Sequence, residues 1–310
     1  MQNLNNDLDF MNRADPANET IPDSKPNVTI VTDSVAQVPE EIARQLGITV
    51  IPFTININGQ SFLDGVDLKP SDLYRRMRLE KITPTTAAAS IGQYQRAYEN
   101  CLQAGAQAVL CVVLSNKLSS GYSVANLAAE KVRDEFPDRQ IVVLDSQQAT
   151  IAQGFVAIAA AQAAAEGKTL PEVRRTAEEA MRRVGFAATL ETLEYLARGG
   201  RIGKAAFMLG SLIKIKPILT IVNGEVTPMG RVRDENHALQ AILDIVARGV
   251  EGGHNLHLAI MQADAPEEAK RLQEAALKRF QPTELFHTEF TPVMGVHTGP
   301  GLIGLGYYYE

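Results

Sequence analysis

Ala108-Val109-Leu110-Cys111-Val112-Val113-Leu114 runs directly into Ser115-Asn116-Lys117-Leu118-Ser119-Ser120-Gly121-Tyr122, and a helical pattern follows from Val124 to Phe136. An unbroken apolar run of this length predicts a strand covered on both faces, which is the habit of parallel sheets. The same grammar recurs on either side. Val28 to Val31 ends in Thr32-Asp33-Ser34 ahead of a helical pattern at Pro39 to Leu46, and Gln140 to Leu144 ends in Asp145-Ser146. With a strand at Thr49 to Ile57 and helices at Ser71 to Leu79 and Ser90 to Ala104, the alternation requires crossover connections. Residues 27–150 therefore read as a doubly wound, parallel-sheet α/β domain.

In such sheets ligands lie beyond the carboxyl ends of the strands, and the hydroxyl-rich segments fall at those ends. Pro84-Thr85-Thr86-Ala87 is a further hydroxyl segment, placed ahead of the helix from Ser90.

Beyond Asp145 the pattern turns helical, at Ile151 to Glu166 and Leu170 to Val184. Strand signals return in Ile218 to Val222 and Glu225 to Pro228, joined by Asn223-Gly224, a pair suited to a type I′ hairpin turn. Leu256 to Met261 and Thr283 to Phe290 flank a helix at Pro266 to Phe280, and Leu302 to Tyr309 follows. These elements predict a second, mixed-sheet α/β domain over 151–310, with the helix near 151–166 able to pack on either half. Residues 1–26, rich in Asn and Asp, read as a disordered extension and resemble neither a signal nor a transit peptide.

At 310 residues the chain has material for two cores. A net charge of −6 with dispersed cations argues against nucleic acid as a partner. The longest apolar stretch, Phe155 to Ala165, is too short to span a bilayer, so a soluble protein is expected. Cys101 and Cys111 suit reduced core thiols in a cytoplasmic protein and lack metal-site spacing. No nucleotide, zinc-protease or serine-hydrolase motif is present.

The candidate site residues are few. Between the helical pattern Leu190, Leu193, Leu196 and the apolar run Leu209 to Leu219 lies Arg198-Gly199-Gly200-Arg201-Ile202-Gly203-Lys204. Its glycines permit close backbone approach and positive φ, and Arg201 is placed to meet an anion; the plainer reading is a helix C-cap with Arg198 complementing the dipole. Asp33-Ser34 and Asp145-Ser146 read as nucleophile and helper, or more simply as caps binding loop amides. Thr85, Thr86, Ser119 and Ser120 carry the same alternative of capping. Together, such neutral hydroxyls and nearby amides can hold a carboxylate or phosphate without a buried matched cation. His297, in the glycine-rich stretch Met294 to Gly301, reads as a donor to an anion, a proton shuttle or a structural turn residue.

In order and spacing, Thr32-Asp33-Ser34, Pro84-Thr85-Thr86, Leu114-Ser115 with Leu118-Ser119, Asp145-Ser146, Leu193 to Gly203, Ile215-Lys216-Pro217-Ile218-Leu219 and His297-Thr298-Gly299-Pro300-Gly301 resemble the DegV family over residues 27–310. The resemblance implies a two-domain α/β protein that holds one long-chain fatty acid in a tunnel. It also implies a non-catalytic carrier, without cofactor or metal, that presents the acid's carboxylate to a separate ATP-dependent kinase subunit. Membrane contact would then be peripheral or transient. By the same resemblance Thr86, Ser119 and His297 hold the carboxylate, and Arg201 faces the kinase or stabilises the acyl phosphate. Ala87, Ala88-Ala89 and Ser120-Gly121 depart from the family's Ser, Gln-Pro and Gly-Thr, removing polar groups beside that site. The competing expectations are an enzyme of a small anionic metabolite, working through the Asp-Ser pairs and His297, and a lipid-sensing regulatory module.

Overall fold

The structure, a computed structural model, describes residues 27–80, 82–209 and 215–310. The extension expected over 1–26 and part of the Leu209 to Leu219 run lie outside them. In the first half, β1 (Val28–Asp33), α1 (Glu40–Gln45), β2 (Thr49–Ile51), β3 (Thr54–Ile57), β4 (Gln60–Leu63), α2 (Pro70–Glu80), β5 (Thr85–Ala87), α3 (Ile91–Gln103), β6 (Ala108–Val113), α4 (Gly121–Glu135) and β7 (Gln140–Asp145) follow in order. Strands β2-β1-β6-β7 form the expected parallel sheet, with β6 buried along its whole length.

The run Thr49 to Ile57 is two strands rather than one. Pro52 has no N–H to continue a ladder, and the Phe53 N–H is taken by Ser34 Oγ at 3.1 Å. Past this break β3 leaves the parallel sheet and becomes the centre of a small antiparallel sheet, β4-β3-β5. The hydroxyl segment at Thr85-Thr86 is thus a strand, and the cap of α3 is Ser90, which makes a reciprocal capping box with Gln93.

The second half comprises α5 (Thr150–Ala165), α6 (Leu170–Ala180), β8 (Val184–Thr189), α7 (Glu194–Arg198), β9 (Lys216–Val222), β10 (Glu225–Val232), α8 (Glu235–Gly249), β11 (His257–Ala263), α9 (Pro266–Arg279), β12 (Glu284–Glu289), α10 (Pro292–Thr298) and β13 (Leu302–Tyr308). They build a mixed six-stranded sheet, β10-β9-β8-β13-β11-β12, in which only β11 and β12 pair in parallel. The hairpin at Asn223-Gly224 is present, both residues at positive φ.

Two sequence expectations give way here. The helix expected to reach Val184 stops at Ala180, and Val184–Thr189 becomes strand β8 in the interior of the sheet. Its small residues permit close packing: a Cβ on Gly304 of β13 would lie 2.8 Å from Ala188 Cβ. The stretch Met294 to Gly301 is not all turn, since α10 occupies Pro292–Thr298 and only Gly299 and Gly301 take positive φ.

Helix α5 is buried on nearly every side and packs against β1 of the first sheet and β8 and β13 of the second. Phe155 on this helix meets Phe286 and Tyr308, at ring-centroid distances of 5.6 and 6.1 Å. One apolar core therefore runs through both sheets, and the expected division at 150/151 falls at the start of a helix they share.

Candidate functional site

The Asp-Ser pairs at the strand ends hold loops. Asp33 Oδ1 accepts from Val35 N at 3.1 Å and Oδ2 from Leu114 N at 2.9 Å, so one buried carboxylate ties the ends of β1 and β6 together. Asp145 Oδ1 accepts from Gln147 N and Asn116 N, and Ser146 Oγ accepts from Gln148 N. Neither pair lines the large cavity between the two sheets. Amide binding accounts for both, as their capping preferences predict.

That cavity holds about 510 Å³, within the range of small-molecule sites. Its walls are chiefly apolar, with Phe53, Leu114, Phe186, Leu219, Ile221 and Phe290 among them, drawn from both halves of the chain. Thr86, Ser119, Arg201 and His297 all line it. Of the departures from the family pattern, Ala87, Ala88, Ala89 and Ser120 line it too, and Gly121 does not.

Each polar residue is delivered by a different element. Thr86 sits on β5, registered opposite Ile55 of β3. Ser119 ends the loop from β6, where its Oγ accepts at 3.1 Å from the N–H of Gly121, the first residue of α4. Ser115 secures the same loop to the second sheet, donating to Gly224 O at 2.9 Å. His297 comes from the last turn of α10, and its Nε2 lies 2.8 Å from Thr86 Oγ1.

The glycine knot explains itself against this histidine. Helix α7 ends at Arg198, which stacks over Tyr195, so the C-cap reading holds. Gly199 does more: a Cβ there would lie 2.4 Å from His297 Nδ1, and only a residue without one lets the ring approach. Gly200 and Gly203 take positive φ and turn the chain back. Between them exposed Arg201 donates from Nε to Leu118 O at 3.0 Å and from Nη1 to Gly199 O at 2.6 Å. It thereby links the Ser119 loop to the backbone beside His297.

Burial, reinforced by the Arg201 charge, lowers the His297 pKa to about 4, so the imidazole is neutral near pH 7. A neutral ring carries one proton. With that proton on Nε2 it is donated to Thr86 Oγ1 and the threonine O–H is free to donate elsewhere; with it on Nδ1 the threonine donates to Nε2 instead. The Ser119 oxygen is already an acceptor for Gly121 N, and its O–H is free in the same sense. Two hydroxyls and a guanidinium thus line the cavity, groups able to donate to an anionic oxygen. Among the described residues no three His, Cys, Asp or Glu side chains are grouped to hold a metal.

One positioning residue escapes sequence reasoning. Asp64, 3% exposed, accepts from Val293 N at 2.9 Å with Oδ1 and so holds the start of the helix that carries His297. The only local signal is an acid inside the otherwise apolar context Phe62-Leu63-Asp64, and its partner lies 229 residues away.

The DegV family model matches residues 27–310. The chain belongs to the DegV family. A DegV domain-containing protein of Clostridium acetobutylicum is 32% identical over 91% of this chain and 98% of its own length. Among solved structures, a DegV family protein from Thermus thermophilus described as fatty-acid binding superposes with a TM-score of 0.85 at 32% identity, covering 91% of this chain and 99% of that one. A stearic-acid-binding protein from Eubacterium ventriosum gives 0.84 at 25% identity, covering 91% and 98%. The two-sheet α/β architecture of this DegV protein is thus that of its relatives. No helix among its described residues is long and apolar enough to cross a membrane.

Proposed function

We propose that this DegV protein is a non-catalytic carrier. It binds one long-chain fatty acid in the cavity between the sheets and presents the carboxylate to a separate ATP-dependent kinase subunit in the cytoplasm. The observation that carries the reading is an apolar cavity of about 510 Å³ with Thr86, Ser119, Arg201 and His297 on its wall. The fatty-acid binding described for the Thermus and Eubacterium relatives supports the same ligand class.

The division of labour follows from magnitudes. Burying about 14 methylenes at ~0.8 kcal/mol each yields on the order of 11 kcal/mol before association costs, so the tail supplies most of the affinity. Thr86 and Ser119 donate their hydroxyl protons to the carboxylate, with neutral His297 fixing the Thr86 proton toward it. Hydrogen bonds to a charged acceptor contribute roughly 1.5–3 kcal/mol each, enough to orient the acid within the cavity. Arg201, exposed at the rim, offsets the carboxylate charge and faces the kinase, where it stabilises the acyl phosphate. Contact with membranes is peripheral and brief, for loading.

Native mass spectrometry of the purified protein, followed by extraction, tests the ligand. One fatty acid per chain is expected. An empty protein that also refuses added acids would move the assignment to a small anionic metabolite. Addition of the kinase subunit and ATP then tests presentation, read as acyl phosphate formed only when the loaded carrier is present.

A further inference from the structure

The cavity has a second polar feature, at the start of α5. Thr150, the first residue of α5, lines the cavity and is 2% exposed. Its hydroxyl is buried and has no hydrogen-bond partner among the described residues. The other buried threonines on the wall are satisfied: Thr220 donates to Phe186 O at 2.6 Å, and Thr298 to Met294 O at 3.1 Å. A buried hydroxyl left unpaired carries a desolvation penalty, so it calls for an explanation.

Two further observations meet at the same residue. Thr150 holds φ at +58°, a left-handed conformation that is a genuine outlier for a β-branched side chain and the kind of strain that gathers at ligand sites. The 16-residue helix it begins has no side-chain cap, because Ala149 stands at the N-cap, and Ala149 also lines the cavity. Threonine is branched at Cβ, so one staggered step exchanges methyl and hydroxyl at the cavity wall. No partner within the described protein holds the hydroxyl against that step.

The residues on either side of Thr150 tie it to both halves of the chain. Gln148, two residues before it, accepts from Ser115 N at 2.9 Å, and Ile151, the next residue, packs on Gly306 of β13.

From this juxtaposition we infer that Thr150 and the uncapped start of α5 form an interior polar subsite that accepts an oxygen function on the acyl chain, making hydroxy fatty acids a preferred ligand class. The inference rests on the fatty-acid reading of the cavity. It adds a specificity determinant to it, because a hydroxyl buried against apolar walls elsewhere along the chain would be left unpaired.

The test compares the parent protein with Thr150→Val, which keeps the shape and removes the hydroxyl. Both are titrated with stearate and with hydroxystearates substituted near the carboxyl, mid-chain and near the methyl end. The parent is expected to prefer one of these positional isomers over stearate by about three- to tenfold, the worth of one hydrogen bond. Thr150→Val is expected to lose that preference and to bind stearate at least as well as the parent. Uptake of stearate by both proteins with the same order of preference would overturn the subsite alone. Refusal of every acid by both would overturn the ligand reading and the subsite with it.

Discussion

Thr86 Oγ1 and His297 Nε2 lie 2.8 Å apart, although 211 positions separate the two residues in the chain. Contact between them requires β5 to pair with β3 and α10 to pack against that small sheet, with Asp64 holding the first turn of the helix. The pair couples a strand of one half to a helix of the other. Its neutrality follows from burial, which disfavours the imidazolium, so the pair brings hydrogen-bonding groups and not a fixed charge to the cavity wall.

Removing both hydroxyl donors, Thr86→Val with Ser119→Ala, should weaken retention of a fatty acid by at least tenfold, given roughly 1.5–3 kcal/mol for each bond to a charged acceptor. Binding of the matched fatty alcohol should change far less. Competitive displacement of a fluorescent acid measures both, and equal loss for acid and alcohol would mean that the two residues act only through packing.

Arg201→Ala should leave fatty-acid retention within about threefold, because the side chain is exposed and exposed charges contribute little, roughly 0–1 kcal/mol. Acyl phosphate formation with the kinase subunit should fall by more than tenfold. A variant that loses the acid during purification would place Arg201 in ligand holding instead.

Gly199→Ala puts a methyl 2.4 Å from His297 Nδ1 and must displace the ring. Overpacking of this kind costs typically 1–3 kcal/mol, which thermal unfolding should register as a lower Tm. The acid-over-alcohol preference should decline with it. Combining Gly199→Ala with His297→Ala relieves the clash, so the double variant should lose less stability than the two single losses added together.

Asp64→Ala removes the acceptor of the Val293 N–H and leaves a buried donor unpaired, at a cost of about 1–3 kcal/mol. If Asp64 orients His297, its effect on acid preference should vanish in a His297→Ala background, whereas its effect on Tm should persist. A double-mutant cycle on both readouts separates the two roles.

Two buried groups give opposite pH signatures. Burial raises Asp33 to about pKa 6, so the folded protein binds more protons than the unfolded chain between about pH 4 and 6, and this contribution to stability falls as pH rises. His297 is lowered to about 4 by burial and then by Arg201; the folded protein binds fewer protons between about 4 and 6.5, and this contribution rises with pH. Across that window Asp33→Asn should make the stability slope more positive and His297→Gln less positive. Urea unfolding at stepped pH measures both, and unchanged slopes would show that neither group titrates as its surroundings dictate.

The four-stranded parallel sheet was legible because β1, β6 and β7 are apolar runs punctuated by Asp or Ser, and the β9–β10 hairpin because Asn-Gly marks its turn. Strand β8 was not. Its Gly185, Ala187 and Ala188 have weak strand preference, and their place comes from close packing under Tyr307 and Gly304. Helix α10 was hidden by glycines at 295, 299 and 301, of which the first is helical and lies against Tyr74.

Of the candidate site, residue types were readable and roles were not. Local sequence determined the strand–loop–helix units, the hydroxyls at their ends and the glycines around Arg201, since periodicity, capping and permitted φ act over a few residues. The tertiary structure alone decided that the Asp-Ser pairs bind amides outside the cavity, that Gly199 exists for His297, and that Thr86 meets that histidine. Those outcomes depend on contacts between residues far apart in the chain, and such contacts form only when two sheets bury a shared core.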